Sequence, residues 1–155
     1  MKKMRGVFIG LILVVLGTAS YAQAPYTHSI GGIVGTFNGA SYKTFALGEK
    51  LAFQADLGAG LAMTRGTSFW GFDINPNLMY EQQISNIGLY WFAGGGISLG
   101  VGSYGRFGIN AIGGVEYKFN IPLTIQADVR PGFGLMFNSY SYFDWGLNIS
   151  ARYTF

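Results

Sequence analysis

The sequence predicts an all-β protein, an eight-stranded antiparallel up-and-down transmembrane β-barrel with short loops. Three observations point there. The chain alternates between apolar and polar residues with a period of two over most of its length. It is rich in aromatic residues and glycine, with 13 Phe, 10 Tyr, 3 Trp and 25 Gly in 155 residues, yet only 11% of it is charged. A soluble domain carries about 25% charged residues. Large apolar residues fall on one face of each strand and charged residues on the other.

The N-terminus comes first. Lys2, Lys3 and Arg5 precede the apolar run Val7–Leu16, and Gly17, Thr18, Ala19 and Ser20 follow it. That order is the pattern of a secretory signal peptide. Small residues two apart, Ser20 and Ala22, fit cleavage between Ala22 and Gln23. Cleavage after Ala24 would place Pro25 directly behind the cut, where its fixed φ and missing N–H are awkward for a peptidase. The apolar run is short for a membrane-spanning helix, which needs about 20 residues. Residues 1–22 therefore read as a cleaved signal peptide and 23–155 as one barrel domain.

The strands follow in order. Two, near 28–37 and 40–47, alternate too weakly to fix their phase, with Asn38-Gly39 read as the turn between them. Next, Leu51, Phe53, Ala55, Leu57, Ala59 and Leu61 oppose Gln54, Asp56, Gly58 and Gly60. Trp70, Phe72, Ile74, Pro76, Leu78 and Tyr80 oppose Asp73, Asn75, Asn77 and Glu81. Ile87 through Leu99 on odd numbers oppose a glycine-rich face. Phe107 through Phe119 oppose Arg106, Asn110, Glu116 and Lys118. Leu123 through Leu135 oppose Gln126, Asp128 and Arg130, and Phe143 through Phe155 oppose Asp144, Asn148, Ser150 and Arg152. Turn residues separate the runs. The strand number is even, as in bacterial single-chain barrels, and most strands reach ten residues.

The sign of the alternation decides between environments. A soluble barrel would turn its apolar face inward and need a charged exterior, which this chain lacks. In lipid the charges turn inward and pair. Asp56, Asp73, Glu81, Glu116, Lys118, Asp128, Arg130 and Arg152 are thus predicted to form a lumenal charge network, nearly closed on itself because unpaired buried charge is costly. Trp70, Tyr80, Tyr117, Trp145 and Tyr153 are predicted as interfacial girdles. The formal charge of +3 belongs to the first five residues. The remainder balances seven bases (Lys43, Lys50, Arg65, Arg106, Lys118, Arg130, Arg152) against seven acids (Glu49, Asp56, Asp73, Glu81, Glu116, Asp128, Asp144). Nucleic-acid binding has no electrostatic support in that balance.

The whole mature chain, and above all its last strand ending Ala151-Arg152-Tyr153-Thr154-Phe155, resembles the small outer-membrane β-barrels of Gram-negative bacteria, such as outer-membrane protein X and the membrane domain of outer-membrane protein A. Ile125-Gln126-Ala127-Asp128-Val129-Arg130-Pro131 is similar to the penultimate strand of such barrels. The resemblance implies location in the bacterial outer membrane among lipid and lipopolysaccharide, and insertion by the barrel-assembly machinery through a C-terminal signal at Tyr153 and Phe155. The chain departs from the family's adhesive members in having short loops throughout.

No residue pattern points to catalysis. His28 is the only histidine; it stands at a strand start without a nucleophile or orienting carboxylate beside it in sequence. Outer-membrane lipid A deacylases, which the topology resembles, place a His–Ser arrangement late in the chain, where this sequence has no histidine. Gly100-Val101-Gly102-Ser103-Tyr104-Gly105 fits the dinucleotide pattern, but a strand rather than a helix follows it. With no cysteine and one histidine, neither a metal nor another cofactor is predicted. A monomeric structural or interaction barrel in the cell envelope, plugged by paired charges and not an enzyme, is the leading expectation. A narrow pore or carrier for a small or apolar solute is the second, and a lipid-modifying enzyme the third.

Overall fold

The computed structural model describes residues 25–64, 67–102, 105–137 and 140–155. Eight antiparallel strands run in order: β1 (His28–Gly35), β2 (Phe37–Thr44), β3 (Leu51–Thr64), β4 (Thr67–Ser85), β5 (Leu89–Gly102), β6 (Arg106–Lys118), β7 (Leu123–Met136) and β8 (Tyr140–Thr154). Each pairs with its neighbour in sequence, and β8 pairs with β1, so the sheet closes into a barrel with no free edge strand. The closure is sealed at one end by reciprocal backbone bonds. His28 N donates to Phe155 O and Phe155 N to His28 O, both at 2.9 Å. The predicted signal peptide lies outside the described residues.

Among the described side chains, the predicted phases of β3 to β8 are present. On β8, Trp145, Leu147, Ile149 and Tyr153 are each more than half exposed, whereas Asn148, Ser150 and Arg152 are buried. The barrel wall is thus apolar outside and polar inside. Near its end β4 carries an irregularity between Gln83 and Ser85, which lets the strand run on past the simple alternation.

The first hairpin differs from its prediction. Asn38-Gly39 is not the turn. Both residues lie inside β2, where Gly39 pairs with Ile33 and with Gly58. The chain reverses instead around Gly35 and Thr36. Gly35 has φ +143°, a region that favours glycine. Its N–H donates to Asn38 Oδ1 at 3.2 Å, and Asn38 Nδ2 donates back to Gly35 O at 3.1 Å. Asn38 therefore caps the turn rather than forming it. The structure also settles the phase of these strands: Ser29, Ile33, Phe37, Ser41 and Lys43 point inward and are buried, while Ile30 and Val34 are exposed.

Several glycines make the wall's curvature possible. A Cβ on Gly94 would stand 2.1 Å from Leu78 O, and one on Gly114 would stand 2.1 Å from Ala127 O. The neighbouring backbone occupies the space a side chain would take. Gly113 is the counter-case, since a Cβ there meets nothing nearer than Phe92 O at 3.7 Å. Gly94→Ala is expected to destabilise the barrel by about 1–3 kcal/mol, and Gly113→Ala by far less. Urea unfolding followed by tryptophan fluorescence separates the two; equal midpoints would contradict the steric reading.

Candidate functional site

The polar lumen is the candidate site, and it divides into three zones. The end holding His28 and Phe155, where turns join β2–β3, β4–β5 and β6–β7, is the turn end; the opposite end is the loop end.

Toward the turn end an apolar cluster fills the interior. Phe45, Ala52, Met79, Phe92 and Ile112 are buried together, with Tyr26 packed against them. Tyr26 precedes β1 and folds into the barrel mouth, edge-on to Phe45 with ring centroids 5.2 Å apart. Its hydroxyl donates to Glu116 Oε1 at 2.8 Å. Burial, reinforced by the neighbouring Glu116, holds the phenol's pKa well above its ordinary value, so it stays a neutral donor.

Beside this cluster lies a buried ion network. Lys43 Nζ donates to Glu81 Oε2 and, at 3.0 Å, to Glu116 Oε2. Arg152 reaches the same Glu116 oxygen at 2.5 Å. The Lys43 ammonium also stands 5.1 Å from the Phe92 ring centroid and 5.4 Å from that of Phe45. A cation over aromatic faces gains further stabilisation once desolvated. Two glutamines connect this group to the next. Gln126 Nε2 donates to Gln54 Oε1 at 3.2 Å and to Asp128 Oδ2 at 2.9 Å, and Gln54 Nε2 donates to Asp56 Oδ2 at 2.9 Å. Arg130 then bridges Asp56 and Asp128, each at 2.6 Å.

Toward the loop end the lumen opens into a cavity of about 70 Å³. Asp73, Asn75, Ser98, Arg106, Asn110, Arg130, Tyr142, Asp144 and Asn148 are among its lining residues. Arg106 grips Asp73 with two nitrogens, Nε reaching Oδ1 at 2.6 Å.

Seven of the eight predicted network residues face the lumen: Glu81, Glu116 and Arg152 in one group, Asp56, Asp128 and Arg130 in the next, and Asp73 apart from both, held by Arg106. Lys118 is the exception. Its Nζ donates to the carbonyls of Phe119 (3.0 Å) and Ile121 (2.8 Å) in the β6–β7 turn. It stands one residue inside the end of β6, close enough for its long stem to reach the turn carbonyls. Lys43, Arg106, Gln54 and Gln126 were missing from the predicted network. Lys43 was hidden by the unresolved phase of β2, although it is the residue on which the inner network turns.

The remaining predicted positions fall as follows. Tyr117, Trp145 and Tyr153 are exposed on the outer face. Tyr80 is half-buried there, 5.9 Å from the ring of Trp91. The side chain of Trp70 lies outside the described residues. Phe155 is exposed and stacks on Tyr153 at 6.4 Å and on His28 at 5.6 Å. His28 Nδ1 is 2.9 Å from the Tyr42 hydroxyl, so its ring is engaged at the rim. No group of three or more His, Cys, Asp or Glu side chains suited to a metal ion occurs among the described residues.

Removing one partner from a buried pair strands the other charge. Lys43→Met should cost about 3–5 kcal/mol, leaving Glu81 and Glu116 under-compensated. Lys118→Met should cost under about 1 kcal/mol, as for an exposed interaction. Urea midpoints of the two folded variants make the comparison; a Lys118 effect as large as that of Lys43 would place Lys118 back in the network. No protein-family model matches this chain, and no curated protein or solved structure does either.

Proposed function

We propose that this protein is an exported barrel of the bacterial outer membrane with a structural or interaction role in the cell envelope, neither conducting nor catalytic. The single observation that carries the reading is the direction of the wall. Isolated exposed hydrophobics are ordinary, but large continuous apolar surfaces mark contact with lipid or another protein. Here the apolar side chains of successive strands face outward all around the barrel, including Leu57, Phe72, Ile97, Ile109, Val129 and Leu147. Lipid is the solvent that accommodates such a belt. Closure of the sheet satisfies the backbone internally, as a spanning sheet requires.

In this reading the predicted signal peptide delivers the chain to the envelope, and Tyr153 and Phe155 present the outward aromatic end of β8 to the assembly machinery. Lipid and lipopolysaccharide are its surroundings, and the monomer is the working unit. The loops are too short to form an extended adhesive surface.

The filling of the lumen supports an absence of conduction. The apolar cluster around Phe92 and the Lys43–Glu81–Glu116–Arg152 network occupy the same narrow bore, whose side chains are nearly or wholly buried. An eight-stranded barrel encloses just enough space for such side chains. A non-catalytic role is favoured by the engagement of His28 with Tyr42 and Phe155 at the rim, away from the polar lumen.

Purified protein reconstituted in a planar bilayer should give no reproducible single-channel steps. Stepwise currents from wild-type protein would favour the pore reading instead. A mass shift in lipid A on expression would favour the enzyme reading. Full solubility of the folded chain without detergent would contradict the membrane assignment itself.

A further inference from the structure

Two prolines stand in the middle of strands, Pro76 on β4 and Pro131 on β7. A proline has no N–H to give to a ladder, and it is rare in a strand that has neighbours on both sides. Each leaves a break. The β4–β5 ladder passes from the pair Ile74 and Leu99 to the pair Asn77 and Gly96. The β6–β7 ladder passes from Asn110 and Gly132 to Gly113 and Val129. On their other sides, the β3–β4 and β7–β8 ladders run through the same prolines unbroken. The missing N–H therefore faces β5 in one case and β6 in the other. The register is the same before and after each break, which sets Pro76 opposite Ile97 and Pro131 opposite Ala111. The carbonyls of Ile97 and Ala111 each lose a backbone donor.

The two breaks are not bridged alike. Across the β4–β5 break, Ser98 Oγ donates to Asn75 Oδ1 at 2.5 Å. One step toward the turn end, Asn110 Nδ2 on β6 donates to Asn77 Oδ1 on β4 at 2.6 Å, and Asn77 Nδ2 donates to Asn75 O at 3.0 Å. Toward the loop end Arg106 on β6 grips Asp73 on β4. Side chains thus bind β4 through the lumen to both strands of the β5–β6 hairpin. The β6–β7 break has no such tie. The charged and amide groups of β6 pair with β4, β2 and β8, and those of β7 pair with β3, β8 and one another. The Ala111 carbonyl receives Asn110 Nδ2 at 3.4 Å, a long contact from its own strand. Gly132, next to the break, has no side chain to offer.

A seam that lacks a ladder bond and a lumenal tie opens at lower cost than its neighbours, and local opening in folded proteins is drawn from such places. We infer that the wall opens locally at the β6–β7 seam beside Pro131, and that Asn75, Asn77, Ser98 and Asn110 form a staple that holds the matching break at Pro76 shut. Asn110 and Gly132 also line the loop-end cavity, so the opening lies at its side. The inference stands on strand register and side-chain contacts and goes beyond the envelope reading, on which it does not rest.

Amide hydrogen exchange followed by NMR on the detergent-folded full chain tests it. Ala111 and Ile97 are matched reporters, since the N–H of each faces the carbonyl of its proline. After correction for intrinsic rates, Ala111 should exchange at least about fivefold faster than Ile97, the equivalent of one net hydrogen bond. Pro131→Ala restores the missing N–H and should slow Ala111 by a similar factor while leaving Ile97 unchanged. Ser98→Ala combined with Asn110→Ala removes the staple and should speed Ile97 by a similar factor; heat-modifiable gel migration verifies that the variants fold. Equal protection of Ala111 and Ile97 in the wild type would overturn the proposal without recourse to any variant. A folded Pro131→Ala protein whose Ala111 exchanges as fast as before would overturn it too, and an unchanged Ile97 in the folded double variant would overturn the staple. None of these results depends on whether the protein conducts in a planar bilayer, so the envelope reading stands or falls separately.

Discussion

Lys43 places one ammonium between two glutamates that come from strands on other parts of the barrel wall. Glu81 is on β4 and Glu116 on β6, and Arg152 on β8 closes on the same Glu116 oxygen. Four strands are tied through a point that water scarcely reaches. The arrangement is mutually dependent. Each charge is tolerable in the bore only because the others are there, and loss of one leaves the rest paired badly in a poorly solvated space. The glutamines Gln54 and Gln126 extend the same logic toward Arg130, Asp56 and Asp128. The polar interior in turn obliges the apolar residues to face outward, so the outer belt and the inner network are two results of one alternation.

Much of this was legible in the sequence. Six strands from Leu51 onward alternate without ambiguity, because aromatic and β-branched residues hold one parity and charged or glycine residues the other. Their phases follow from residue identity alone. The first hairpin was less legible for a physical reason. Its inward face mixes Ile33 and Phe37 with Ser29, Ser41 and Lys43, and its outward face mixes Ile30 and Val34 with Asn38 and Tyr42. Neither parity is cleanly apolar. Asn38-Gly39 is also a strong turn signal by composition, but Gly39 is used for close strand approach, with Leu57 O standing 2.2 Å from where a Cβ would be. Lys43 was missed together with that hairpin, and Lys118 was included only because it shares a parity with Glu116. Parity places a side chain on a face; it does not say how near the rim it stands.

The lumen is thus built in unlike halves. The half toward the turn end is filled by aromatic, aliphatic and matched ionic groups, and resembles a protein core with its charges neutralised in place. The half toward the loop end is polar, lined by Asn75, Ser98, Asn110 and Asn148 together with Arg106 and Arg130. Gly132 and Gly146 contribute to its lining without projecting side chains into it. A polar recess set against a bore filled by side chains supports the proposed non-conducting role.

This wall is reversed relative to a soluble barrel, and in the proposed reading its apolar parity lies in lipid. Site-directed spin labels placed singly at positions 145 to 153 of β8, in protein reconstituted in bilayers, test it most directly. Collision with oxygen, which concentrates in the hydrocarbon, should peak at 145, 147, 149, 151 and 153 and fall at the even positions between. Accessibility without a period of two, or with its maxima at 148, 150 and 152, would contradict the account.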